Sequence, residues 1–213
     1  MQLMKSKLLK IIELSLLFIL FPILYYLQFI PGPKLFLLLI IVATVLIYLL
    51  RSRSFNRREL GFNGFSEWRG MIIRICIGSV IITLLTVLIL PDYLFYLPRK
   101  SPRLWVLVLF MYPVWSAFTQ ELIYRTFFFF RYGDLFPGDT AAAIANGVLF
   151  GFLHIIFNNW IAVIGATTVG LLWAFLYKEN RSLMAISLEH AIFGDLIFTI
   201  GLGHYFYITD FYL

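Results

Sequence analysis

Leu35-Phe36-Leu37-Leu38-Leu39-Ile40-Ile41-Val42-Ala43-Thr44-Val45-Leu46-Ile47-Tyr48-Leu49-Leu50 is apolar almost without a break. A strand crossing a bilayer as part of a barrel alternates apolar and polar residues, so a continuous run like this one predicts a helix. Comparable runs recur along the chain. Of the 213 residues, 62% are hydrophobic and 13% charged, with a mean hydropathy of +0.91; soluble domains have roughly 45–50% apolar and about 25% charged residues. The expected fold is all-α, a polytopic membrane helical bundle. Several apolar runs of about 20 residues use up nearly the whole length, so a single membrane domain over 1–213 is expected, with no soluble module.

About seven spans are expected, at about Leu8 to Ile30, Lys34 to Leu50, Met71 to Leu90, Leu104 to Phe130, Thr140 to Phe157, Ile161 to Tyr177 and Leu183 to Gly203. The first follows Lys5, Lys7 and Lys10 but exceeds the roughly 7–15 apolar residues of a signal peptide, which makes it a retained anchor. Glu13 is expected near the interface, paired with Lys10, and Pro22 is expected to kink the helix. Pro31-Gly32-Pro33 reads as a turn. Gly165, Ala166, Thr167, Thr168 and Gly170 on the sixth span permit close helix approach.

The basic residues set the orientation. Those near the N-terminus, around 51–74, and at Arg131, Lys178 and Arg181 outnumber those at Lys34, Arg99, Lys100 and Arg103 by three to one. The positive-inside rule then places the N-terminus in the cytoplasm. The same rule accounts for the net charge of +6, so the expected partner is a lipid bilayer and not nucleic acid. The expected location is integral to a membrane, the plasma membrane of a prokaryote. Cys76 is the only cysteine, which excludes an intrachain disulfide and a Cys-rich metal site and leaves packing as its role. His204 is expected at the outer surface.

The polar residues gather in the C-terminal half. Gln120-Glu121-Leu122-Ile123-Tyr124-Arg125 interrupts an apolar segment, and within hydrocarbon each charge costs at least about 2.5–3.5 kcal/mol. His154 and His190 follow on later spans. At a rise of 1.5 Å per residue, Glu121, His154 and His190 fall roughly 15, 21 and 10 Å from the cytoplasmic face. They are close enough in depth to share one water-filled cavity. There a carboxylate could take a proton from water while imidazoles orient the water or stabilise an oxyanion.

Gln120-Glu121-x-x-x-Arg125, then Phe150-x-x-x-His154, then His190, in this order on consecutive hydrophobic segments, resemble the three motifs of the CPBP family, the CAAX-protease and bacteriocin-processing group also called Abi. The resemblance covers about Leu104 to Gly203, which makes 104–203 the expected catalytic core and 1–103 its frame. It implies a helical membrane fold with a cavity open to the cytoplasm, and peptide-bond hydrolysis by a glutamate-activated water. Carried over, Glu121 and Arg125 belong to the first motif, Phe150 and His154 to the second, and His190 to the third. A weaker likeness, over Glu189 to Tyr207, is to a branch associated with processing of sorted C-termini.

Two positions depart from the pattern. The family's first motif usually has adjacent glutamates, the first being the base; here that position is Gln120, which accepts no proton at neutral pH, and Glu121 aligns with the second. Glu121 and Arg125 could simply neutralise one another, and Glu189 is a candidate substitute base, although neighbours on a helix diverge by about 100°. In the third motif the family often has Asn four residues after the histidine, where this chain has Gly194. Asp195 follows, with pairing to Arg125 or holding of a histidine tautomer as its candidate roles.

The expected function is an intramembrane endopeptidase acting on a membrane-associated peptide or protein. Glu121 is the leading base, His154 its partner on the water, and His190 the stabiliser, with Gln120, Arg125, Phe150, Glu189 and Asp195 in support. No cofactor is expected. The alternatives are a zinc-dependent version with Glu121, His154 and His190 as metal ligands, a catalytically impaired scaffold or immunity-type protein of the same fold, and a proton-coupled transporter. No HExxH pattern favours the first of these, and no internal repeat favours the last.

Overall fold

The structure is a computed structural model that describes residues 2–30, 34–62 and 65–207. The expected turn at 31–33 and the last residues of the aromatic tail lie outside them. Every regular element among the described residues is helical. Six helices are long and apolar enough to cross a membrane, in the ranges Lys7–Tyr26, Trp68–Ile89, Pro102–Leu135, Asp139–Phe157, Trp160–Asn180 and Leu183–Ile200. We call these α1, α3, α4, α5, α6 and α7. Between the first two lies α2, Lys34–Arg51, whose 18 residues stand at the short end of the roughly 17–25 that span a bilayer.

Two ends of the bundle can be told apart by their bonds. At one, Lys10 pairs with Asp134 at 2.8 Å, Arg131 with Glu13 at 2.7 Å, Arg181 with Glu59 at 3.7 Å, and Lys178 with Asp139. These are the chain segments that the charge bias predicts to lie on one side, the cytoplasmic one. Glu13 does not take Lys10, its neighbour in sequence. Its carboxylate receives Arg131 and the Tyr132 hydroxyl at 2.9 Å instead, because tertiary packing brings α4 against α1. At the other end the Tyr26 hydroxyl reaches Asn158 at 3.2 Å, the Asn159 amide donates to the Tyr205 carbonyl, and Phe95 N donates to the Ile200 carbonyl. Gly201 closes α7 there with φ +126, and a Cβ on it would lie 2.1 Å from the Tyr93 carbonyl oxygen. Only glycine fits. His204 sits at this same end, its ring 4.4 Å from that of Tyr93.

The helix α4 is the axis of the molecule. Tyr124, Phe128 and Tyr132 close round the Phe18 ring of α1, with centroids 5.0, 5.5 and 5.9 Å away, and Val45 and Leu49 of α2 are buried beside them. By contrast α3 leaves Ile73, Ile77, Leu84 and Leu88 exposed, which is the face a lipid-bathed helix presents.

Prolines leave their mark on helix geometry without ending it. Pro113 opens a π-type stretch, Pro113–Phe118, and a second, Leu122–Phe127, follows Glu121. In α1 a similar stretch, Leu16–Leu20, immediately precedes Phe21 and Pro22. A proline lacks the N–H and crowds the preceding turn, and a widened turn relieves both. In α4 Glu121 lies between the two widened stretches and Arg125 lies within the second.

Candidate active site

Glu121 and Arg125 lie on α4 with no solvent exposure. Glu121 Oε2 stands 3.0 Å from Arg125 Nε as an ion pair, without the alignment of a hydrogen bond. Its other oxygen, Oε1, accepts from His190 Nδ1 at 2.8 Å. The carboxylate is thus held between a guanidinium on its own helix and an imidazole on α7. This is what a buried charge requires, since one left unpaired would cost several kcal/mol.

The helix α5 supplies the rest of the setting. Asn146, Phe150 and His154 recur every four residues and so share one face. Asn146 accepts from Arg125 Nη1 and donates to the Tyr124 carbonyl. The Phe150 ring stacks against the Arg125 guanidinium at 4.8 Å and lies 5.1 Å from the His154 ring and 5.8 Å from the His190 ring. Phe150 is therefore the shared wall between the two histidines. His154 stands where α5 tightens into its last turn, and its Nδ1 donates to the Phe150 carbonyl at 2.9 Å. A carbonyl only accepts, so in the neutral ring His154 Nε2 keeps its lone pair.

Glycines bring this face into place. A Cβ on Gly147 would lie 2.7 Å from the Leu171 backbone, and one on Gly151 would lie 1.8 Å from Thr167 Oγ1. The pair forms a small-xxx-small seam against α6. Gly170 faces it, 3.0 Å from the Gly147 carbonyl oxygen by the same construction. From α6, Trp173 stacks on His190 at 4.5 Å and 27°.

The remaining residues singled out from sequence fall as follows. Gln120 donates to Ser116 Oγ at 2.8 Å and leaves its Oε1 buried without a protein partner. It lies beside the carboxylate but does not bind it. Glu189 turns away from His190 and takes a two-pronged bond from Arg74 of α3, at 3.0 and 2.8 Å. Asp195 bonds neither Arg125 nor a histidine. Arg125 is taken by Glu121 and Asn146, and one Asp195 oxygen is buried without a partner. Two residues enter the site unannounced: Asn146, signalled by its four-residue spacing to Phe150, and Tyr112, whose hydroxyl lies 3.0 Å from His190 Nε2.

The donor set does not suit zinc as arranged. His190 has Nδ1 on Glu121 and Nε2 on Tyr112, so neither of its ring nitrogens is free for a metal. Among the described residues no group of three or more His, Cys, Asp or Glu side chains is disposed to hold a metal ion.

Several buried polar atoms at the site have no protein partner: Gln120 Oε1, Arg125 Nη2, Trp173 Nε1 and Ser187 Oγ. Such atoms are where ordered water is bound in protein interiors. The arrangement offers a carboxylate, a second imidazole with a free lone pair and several polar atoms that no protein group satisfies, which are elements that general base chemistry uses.

Comparison with known proteins agrees with the motif reading. Residues 102–194 match the family model described as type II CAAX prenyl endopeptidase Rce1-like. No curated protein and no solved structure matches the chain. The matched residues run from the start of α4 to Gly194 on α7 and include Glu121, Arg125, Phe150, His154 and His190, so over this region the chain is similar to the Rce1-like type II CAAX prenyl endopeptidases.

Proposed function

We propose that the chain is an intramembrane endopeptidase that hydrolyses a peptide bond of a membrane-associated protein or peptide, using water activated at Glu121. The observation that carries this reading is the Glu121 carboxylate, wholly buried in a spanning helix and held on one oxygen by His190 and on the other by Arg125. Each oxygen retains a second lone pair, so the carboxylate can still accept from a water molecule.

In the proposed reaction the water oxygen adds to the scissile carbonyl carbon while its proton passes to Glu121. The tetrahedral intermediate then collapses, the C–N bond breaks, and the proton goes from Glu121 to the departing amine. His154 orients the water through Nε2. His190 serves in this reading to steady the base and not to stabilise an oxyanion, a role supported by its Nδ1 lying 2.8 Å from Glu121 Oε1.

A second reading, a catalytically impaired scaffold, draws on Gln120 in place of the first glutamate and on the two partners already bound to Glu121. Cleavage decides between them. Full-length protein in liposomes, presented with prenylated and unprenylated membrane-tethered peptides, is expected to cut at least one. His154→Ala is expected to lower kcat about a hundredfold, and strong chelator to leave cleavage intact. A well-folded protein that cuts none of a broad panel would support the scaffold, and loss of cleavage in chelator would point back to a metal.

A further inference from the structure

Two independent features converge on Tyr112. Its hydroxyl is 3.0 Å from His190 Nε2, with the two rings 5.9 Å apart at 71°. One helical turn beyond His190 on α7, a Cβ built on Gly194 would lie 1.9 Å from Tyr112 Cε1, 2.3 Å from Cζ and 2.6 Å from the hydroxyl oxygen. The tyrosine ring occupies the space that any side chain at 194 would fill. Glycine there is what admits it.

The proton positions follow from what each atom can do. An ionised Glu121 only accepts, so His190 Nδ1 must carry the hydrogen. In a neutral imidazole Nε2 is then an acceptor, and the phenol is the donor facing it. Each atom in the chain Tyr112, His190, Glu121 has one consistent role.

We propose that Tyr112 is a positioning residue of this site: its hydroxyl donates to His190 Nε2, holds the imidazole as the Nδ1–H tautomer and so keeps that N–H directed at the Glu121 carboxylate. Gly194 is required because Tyr112 fills its side-chain space. The effect on turnover rests on the protease reading above; the tautomer does not.

Both are tested on the full chain in a bilayer. With ¹⁵N-labelled histidine, His190, assigned by loss of its signals in His190→Asn, is expected to show a protonated Nδ1 and a hydrogen-bonded Nε2. Tyr112→Phe, which keeps the ring, is expected to move the Nε2 resonance and mix the tautomers. On a cleaved peptide it is expected to lower kcat about tenfold and leave KM within about twofold. Gly194→Ala is expected to do likewise in the native background and to add nothing in a Tyr112→Ala background. An unchanged His190 signal in Tyr112→Phe overturns the proposal, as does a Gly194→Ala cost that persists without the tyrosine. Should the native protein cut no peptide while the resonance moves as described, the protease reading fails and the positioning role stands.

Discussion

His190 Nδ1 lies 2.8 Å from Glu121 Oε1, across 69 residues of chain and between two different helices. That contact joins the first and last motifs into one site. Across the carboxylate Arg125 is also buried, so an ion pair and a hydrogen-bonded imidazole sit together inside the bundle.

Removing one member of the Glu121–Arg125 pair leaves the other buried and uncompensated. Arg125→Met is expected to destabilise the protein by about 3–5 kcal/mol, read by unfolding in a denaturing detergent. Adding Glu121→Gln should recover a large part of that loss. Equal and additive costs would mean the two groups do not interact.

Glu189 is tied to Arg74 and faces away from the histidine. Glu189→Gln should therefore leave kcat within a few-fold of native, while Arg74→Ala should loosen α3 and lower stability by about 3–5 kcal/mol, since Glu189 then stays buried alone. A Glu189→Gln protein with unaltered stability and no activity would transfer the base assignment to Glu189.

The seam between α5 and α6 depends on Gly147 and Gly151. Gly151→Val would drive a side chain into Thr167, where a Cβ already meets Oγ1 at 1.8 Å. Overpacking of this kind costs about 1–3 kcal/mol or more and should displace His154, one helical turn along. The check is a combined melt and turnover assay. A variant with native values for both would show that the helices do not approach this closely.

The pairing of Lys10 with Asp134 and of Arg131 with Glu13 puts these ends on one side of the bundle, and the charge bias predicts that this side is cytoplasmic. In a Cys76→Ser background, Asp134→Cys should react with an impermeant thiol reagent only from the cytoplasmic face. Asn158→Cys should react only from the other. Reversed labelling would invert the molecule.

The helices and the three motifs were legible because their signals are local. Apolar runs set span lengths, and the four-residue step from Glu121 to Arg125 places both on one face. Long-range partners were not legible. Glu13 has Lys10 close by in sequence yet binds Arg131, since only the packed bundle decides which cation arrives. Asp195 could be assigned Arg125 only until Asn146 was seen to hold that side chain. Tyr112 had no distinguishing spacing among the 12 tyrosines. Its place depends on the absent side chain at Gly194 and on a helix widened just after it at Pro113, neither of which has a signature that periodicity reveals.

The most direct measurement compares native protein with Glu121→Gln on one membrane-tethered peptide in liposomes, at matched folding. The amide keeps the size of the carboxylate and loses its capacity to take a proton. Turnover should fall by about 10²–10⁴ with KM little changed. Turnover within a few-fold of native would contradict Glu121 as the base and leave its pairing with Arg125 and His190 as scaffolding alone.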